Sequence, residues 1–274
     1  MEFTTETIFI FVIAMVVAGA VAGVIAGLLG VGGGIVLVPV MFYLFTLMDI
    51  DPSVRMHLAV GTSLSTIIVT AWSSSRSHYK KGAVDVDLLK NWGPWLFLGA
   101  VIGMMMFGSL KSLWLTLIFS VVTLFLALYM LLAPQVEEGG QSRFPAGILR
   151  KIYGIIVAGL SSVMGIGGGS LSVPLLTFYR YPIRRAVGTA AAVGLIIALP
   201  GTIGAFVSGL GNTNLPPFSI GYVNLLAFAI LIPVTGFFAP VGSRIAHTIN
   251  PTYLRYAFAG FLAFNAINMF ITAL

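Results

Sequence analysis

Two clusters of glycine, Gly30-Val31-Gly32-Gly33-Gly34 and Gly165-Ile166-Gly167-Gly168-Gly169, each interrupt a long apolar run. Each glycine inside a helix costs about 1 kcal/mol relative to alanine. Three in succession break the helix, so the chain is expected to turn back at each cluster. That gives one helical hairpin over 7–45 and a second over 149–179. Six further apolar runs, 57–72, 92–107, 113–132, 186–209, 222–242 and 253–274, read as membrane-spanning helices, which need about 20 mostly apolar residues each.

Composition makes the membrane reading unavoidable. Of the 274 residues, 58% are hydrophobic and only 8% charged, against about 25% charged in a soluble domain. An ordinary soluble enzyme and a disordered chain are both excluded. There is no cysteine, so disulfides, zinc–thiolate sites, iron–sulfur clusters and cysteine nucleophiles are excluded as well. The net charge of +6 is the ordinary signature of cytoplasmic loops facing anionic lipid. No basic run with interleaved aromatics points to nucleic acid. The first apolar run is preceded by Glu2 and Glu6 and by no Lys or Arg, so it reads as part of the mature fold rather than as a signal peptide.

The two halves repeat. The first glycine cluster and Val38-Pro39 match the second and Val173-Pro174 at an offset of 135 residues. Ala59-Val60-Gly61-Thr62 matches Ala186-Val187-Gly188-Thr189 at an offset of 127. Pro94, Gly103 and Met130 match Pro233, Gly242 and Met269 at an offset of 139. Duplication within one chain follows: a first membrane repeat over 1–133, a linker over 134–148 and a second repeat over 149–274.

The distribution of Lys and Arg then orients the repeats. If each hairpin enters and leaves on one side, the fourteen cations divide two against twelve. If each hairpin region crosses once, they divide seven against seven. Positive residues concentrate on the cytoplasmic side, so the first arrangement is expected. It puts both termini outside, in the periplasm, and the linker inside. A hairpin plus three spans is an odd number of crossings, so the second repeat is inverted relative to the first. Such repeats typify secondary transporters, whose sites lie near the midplane at broken helices.

The acids are Glu2, Glu6, Asp49, Asp51, Asp85, Asp87, Glu137 and Glu138, and all fall in predicted loops or tails. A cation site or a paired-carboxylate catalytic site inside a span is therefore disfavoured, and no enzyme, metal site or cofactor is expected. The glycine breaks suit an anion. A helix restarting after a break presents backbone N–H groups and a partial positive charge, and glycine lets an oxyanion approach the main chain. Gly32, Gly33, Gly34, Gly167, Gly168, Gly169 and Ser170 are candidate donors. The competing reading is that these glycines only permit tight helix contact. Thr62, Thr189 and Ser63 lie one turn into their spans, where a hydroxyl can bond a substrate oxygen or its own helix backbone. His57 and Arg184 occupy equivalent positions near opposite entrances; they either draw anions in or anchor at the interface. Pro39 and Pro174 can kink the return arms. Trp72, Trp92, Trp95 and Tyr79 read as an interfacial aromatic belt. Asn265 and Asn268 either bond between helices or line the path.

Gly27-Leu-Leu-Gly-Val-Gly-Gly-Gly34 with Val-Pro39, then His57-Leu-Ala-Val-Gly-Thr-Ser63, then the second glycine cluster with Val-Pro174 and Arg185-Ala-Val-Gly-Thr189, resemble the TauE/SafE family of sulfite exporters over nearly the whole chain. The resemblance implies export of a small sulfur-containing anion such as sulfite, sulfoacetate or a related organosulfonate, from a cell inner membrane. One departure is Ala190-Ala191, where the first half has Ser63-Leu64. The expected protein is thus an all-α polytopic transporter with two inverted repeats, working by alternating access. An anion channel using the same site and a non-transporting scaffold are the other readings. The oligomeric state is not set by the sequence.

Overall fold

The structure is a computed structural model, and it describes residues 5–29, 33–132, 144–245 and 251–273. Its described residues form ten helices: α1 (Thr5–Leu29), α2 (Gly34–Leu47), α3 (Pro52–Lys80), α4 (Val86–Phe107), α5 (Ser112–Leu132), α6 (Ile148–Met164), α7 (Gly169–Phe178), α8 (Ile183–Ser208), α9 (Leu225–Ile245) and α10 (Pro251–Ala273). A two-residue antiparallel pair, β1 (Ser219–Ile220) with β2 (Val223–Asn224), precedes α9. Five helices are long and apolar enough to cross a membrane, and the protein is an all-α polytopic membrane protein.

The glycine clusters do break the chain. The helix α1 ends at Leu29 and α2 begins at Gly34, while α6 ends at Met164 and α7 begins at Gly169. Gly33 and Gly168 cap the return helices with φ of 76° and 79°, a left-handed conformation that glycine adopts without steric cost. The return arms are short. With ten residues, α7 is ~15 Å long, about half the hydrocarbon core.

Element boundaries depart from the sequence reading in one instructive place. The span expected over 57–72 runs instead from Pro52 to Lys80, so Ser73–Lys80 is helical rather than loop. Asp51 caps its start by accepting the Ser53 amide at 2.8 Å, and the helix ends just before Gly82, which has φ of +67°. Serines and charges past Trp72 lower hydropathy without lowering helicity much; apolarity marks the membrane, not the end of the helix.

The four most extensive helix contacts pair elements from different halves: α1 with α9, α4 with α6, α3 with α8 and α5 with α10. They recur in matched form. A Cβ on Gly103 of α4 would lie 2.6 Å from the Gly159 carbonyl of α6, and one on Gly242 of α9 would strike the Val24 carbonyl of α1. Small residues here let backbones touch, the usual route to helix association in lipid. The central helix α3 is buried along most of its length. Outward faces carry large apolar side chains, among them Phe9, Ile13 and Val17 on α1 and Phe125, Leu128 and Leu132 on α5, as lipid contact requires. Trp92 is not part of a belt at the interface. It is fully buried, edge-on to Phe144, whereas Trp72 and Tyr79 are exposed.

Candidate functional site

A cavity of about 260 Å³ opens at the second helix break, lined there by Gly167 and Gly169. That is room for about nine waters. Its α3 wall is one stripe of that helix, Thr70, Ser74 and Ser77, continued by the C-cap residue Lys81, spaced three or four residues apart and hence on one face. Ser73 and His78 flank the stripe, and Ala190, Ala191 and Gly194 of α8 face it. The deep end is buried at Thr70, Gly169 and Ala191, while Ser77 and Lys81 are exposed at the rim. Hydroxyls thus run from a cationic mouth to a helix start. No carboxylate among the described residues lines the cavity. Among the described residues there is no group of His, Asp and Glu able to hold a metal ion.

The sequence reading missed this α3 stripe, because Ser73–Lys81 looked like a polar loop. The missed signal was the three-to-four-residue spacing of its hydroxyls. Of the residues singled out beforehand, Gly167 and Gly169 line the cavity. Gly168 caps α7 beside Ile197 and Val193. Ser170 is buried and its hydroxyl has no partner among the described residues. Gly33 and Gly34 are buried at the first break, and Gly32 lies outside the described residues. Pro39 and Pro174 sit inside α2 and α7, which continue through them.

Thr62 and Thr189 are both fully buried, and each hydroxyl oxygen accepts a backbone N–H from the other half. Thr62 takes that of Asn224 at 2.9 Å and Thr189 that of Asp85 at 3.0 Å. The donors are equivalent residues, since Asn224 accepts from the Ala227 amide as Asp85 does from that of Leu88, each capping the helix that follows. The neighbouring glycines permit the approach: a Cβ on Gly61 would strike the Tyr222 carbonyl, and one on Gly188 would lie 2.5 Å from that of Ala83.

One half adds charge to this contact. The Tyr181 hydroxyl donates to the Asp85 carboxylate, and Arg185 lies 3.3 Å away. Burial pushes the Asp85 carboxyl up, but the hydrogen bonds from Tyr181 and Leu88 and the charge of Arg185 hold it below the usual carboxylate range. Burial and that carboxylate push the Tyr181 phenol well above its usual value. Arg184 is exposed beside this cluster. His57 does not stand at an open entrance. It is 3% exposed, its Nε2 lies 3.0 Å from the Leu110 carbonyl, and its ring stacks on Tyr222. Asn265 and Asn268 donate within their own helix, to Phe261 at 2.8 Å and Phe264 at 2.9 Å.

The model of the sulfite exporter TauE/SafE family matches residues 15–269. The chain belongs to the TauE/SafE family. A probable membrane transporter protein of Haemophilus influenzae is 33% identical over 245 residues, covering 89% of this chain and 92% of its own. A probable membrane transporter protein of Methanocaldococcus jannaschii is 28% identical over 254 residues, covering 89% of this chain and 90% of its own. No solved structure matches the chain. As a TauE/SafE member with transporter relatives and five membrane-crossing helices, it is a multi-pass protein of a transporter family.

Proposed function

We propose that this protein exports a small sulfur-containing anion, such as sulfite, sulfoacetate or a related organosulfonate, across a cell inner membrane by alternating access. The observation that carries the reading is the cavity at the Gly167–Gly169 break, with Lys81 and His78 at its mouth, four hydroxyls along one wall and no carboxylate among the described residues. Hydroxyls and helix-start amides suit a ligand that only accepts hydrogen bonds. A cationic mouth raises the local anion concentration. The match to a sulfite exporter family supports a sulfur-containing anion as the substrate.

The chain is read as two inverted repeats, 1–133 and 149–274, joined by a cytoplasmic linker over 134–148. The matched contacts between halves support the repeat, and the excess of Lys and Arg on one side supports the inversion. In that orientation the cavity faces the cytoplasm and both termini face outward. The inside-negative potential drives one exported negative charge by about 2.3 kcal/mol per 100 mV, so export needs no buried carboxylate for coupling.

The test is efflux from proteoliposomes under a clamped potential, with labelled sulfite and labelled sulfoacetate in turn. Saturable efflux that accelerates when the interior becomes negative is expected. Lys81→Ala is expected to raise KM ~5-fold, the loss of about 1 kcal/mol from one partly exposed charge, with kcat little changed. Flux of both anions equal to that of protein-free liposomes overturns the reading. Single-channel currents would replace the carrier with a channel.

A further inference from the structure

The same cavity has a sealed twin, and three pairs of residues account for the difference. At the offset of 127 that aligns Gly61-Thr62 with Gly188-Thr189, Ser63 corresponds to Ala190, Leu64 to Ala191 and Ile67 to Gly194. The three α8 residues line the cavity. The three α3 residues are 0% exposed and the α8 residues are as buried, Ala190 at 0% and Ala191 at 3%, so the two sets differ in bulk and not in exposure. Ser63 donates to the Gly165 carbonyl at 2.7 Å, across the two halves. Leu64 packs where a Cβ on Gly201 would meet it at 3.0 Å. Ile67 stands between the two breaks, its methyls 2.7 Å from where a Cβ on Gly34 and one on Gly167 would lie. Ala, Ala and Gly carry eight fewer side-chain heavy atoms than Ser, Leu and Ile. At about the space of one water each, ~30 Å³, that is on the order of 200 Å³, close to the cavity's about 260 Å³.

We infer that the two glycine breaks have different jobs: the Gly167–Gly169 break lines the substrate chamber, and the Gly33–Gly34 break is the seal on the opposite side. The inference rests on the reading that the cavity carries substrate. The seal consists of apolar packing by Leu64 and Ile67 plus one Ser63 hydrogen bond. Ala190 has no hydroxyl with which to form the matching bond on the cavity side. The chain therefore favours the state open at Lys81, the state ready to load.

The absence of native cysteine makes the test direct. Ser74→Cys and Ser63→Cys are made singly in the full chain, in membrane vesicles of each sidedness, and exposed to a membrane-impermeant methanethiosulfonate reagent. From the face that carries Lys81, Ser74→Cys, half-buried in the cavity wall, is expected to react at least ten times faster than Ser63→Cys. Ser77→Cys, exposed at the rim of the same wall, replaces Ser74→Cys if that variant does not assemble. Similar rates for both members of the pair overturn the inference. A second arm restores the twin's bulk: Ala191→Leu with Gly194→Ile is expected to abolish labelling of Ser74→Cys, and persistent labelling also overturns it. Labelling is read without transport. If the unmodified protein moves neither sulfite nor sulfoacetate, the proposed function fails while this test still decides the division of roles.

Discussion

Thr62 and Thr189 are the residues whose environment says most about how the halves hold together. Each oxygen accepts the N–H of a helix-capping residue from the other half, and both side chains are fully buried. Replacing either with valine keeps the shape and leaves a buried amide without its acceptor, which costs ~1–3 kcal/mol. Thr62→Val is therefore expected to lower the detergent-solubilised protein's Tm by roughly 2–10 °C and to leave KM for the transported anion unchanged. A KM raised with an unchanged Tm would instead place the hydroxyl on the substrate. From sequence alone the two roles were indistinguishable. The repeated Gly-Thr pair was visible, but its partners, Asp85 and Asn224, lie 104 and 162 residues away.

At the scale of the element, the glycine-broken hairpins and the long apolar helices were legible, because each rests on local chemistry: helix breaking, capping and hydropathy. The polar end of α3 was not. Its hydroxyls were read as loop because they leave the membrane, although their spacing was helical. The loop that follows α3 is held by a salt bridge between the halves, Asp85 with Arg185, and by the Tyr181 hydroxyl bonded to the same carboxylate. Its counterpart uses the neutral Asn224, so asparagine can satisfy the cap and the threonine. Asp85→Asn thus isolates the charge. Because the folded carboxyl sits below its ordinary range, its contribution is present above about pH 4 and is lost as pH falls through the lower folded value. The variant is expected to melt below the unmodified protein at pH 7 by under about 1 kcal/mol, since the pair is partly exposed, and the gap is expected to close on acidification. A gap that widens toward low pH would sink this assignment.

For the whole molecule, the contact pattern and the charge pattern carry different information. The pairing of α1 with α9 and of α4 with α6 interlocks the halves whichever way the protein sits in the bilayer. Orientation rests on Lys and Arg alone, through their preference for the cytoplasmic side. The direction of transport rests on orientation in turn, because the cavity opens beside Lys81. Two exposed positions separate the possibilities. Lys80 ends α3 next to the cavity mouth, and Thr213 lies in the loop between α8 and α9. With no native cysteine to interfere, Thr213→Cys is expected to react with an impermeant thiol reagent in intact spheroplasts, and Lys80→Cys only after the membrane is permeabilised. The reverse result would keep the fold, the cavity and the sealed twin. It would turn the open chamber outward, and the protein would be read as loading its anion from outside the cell.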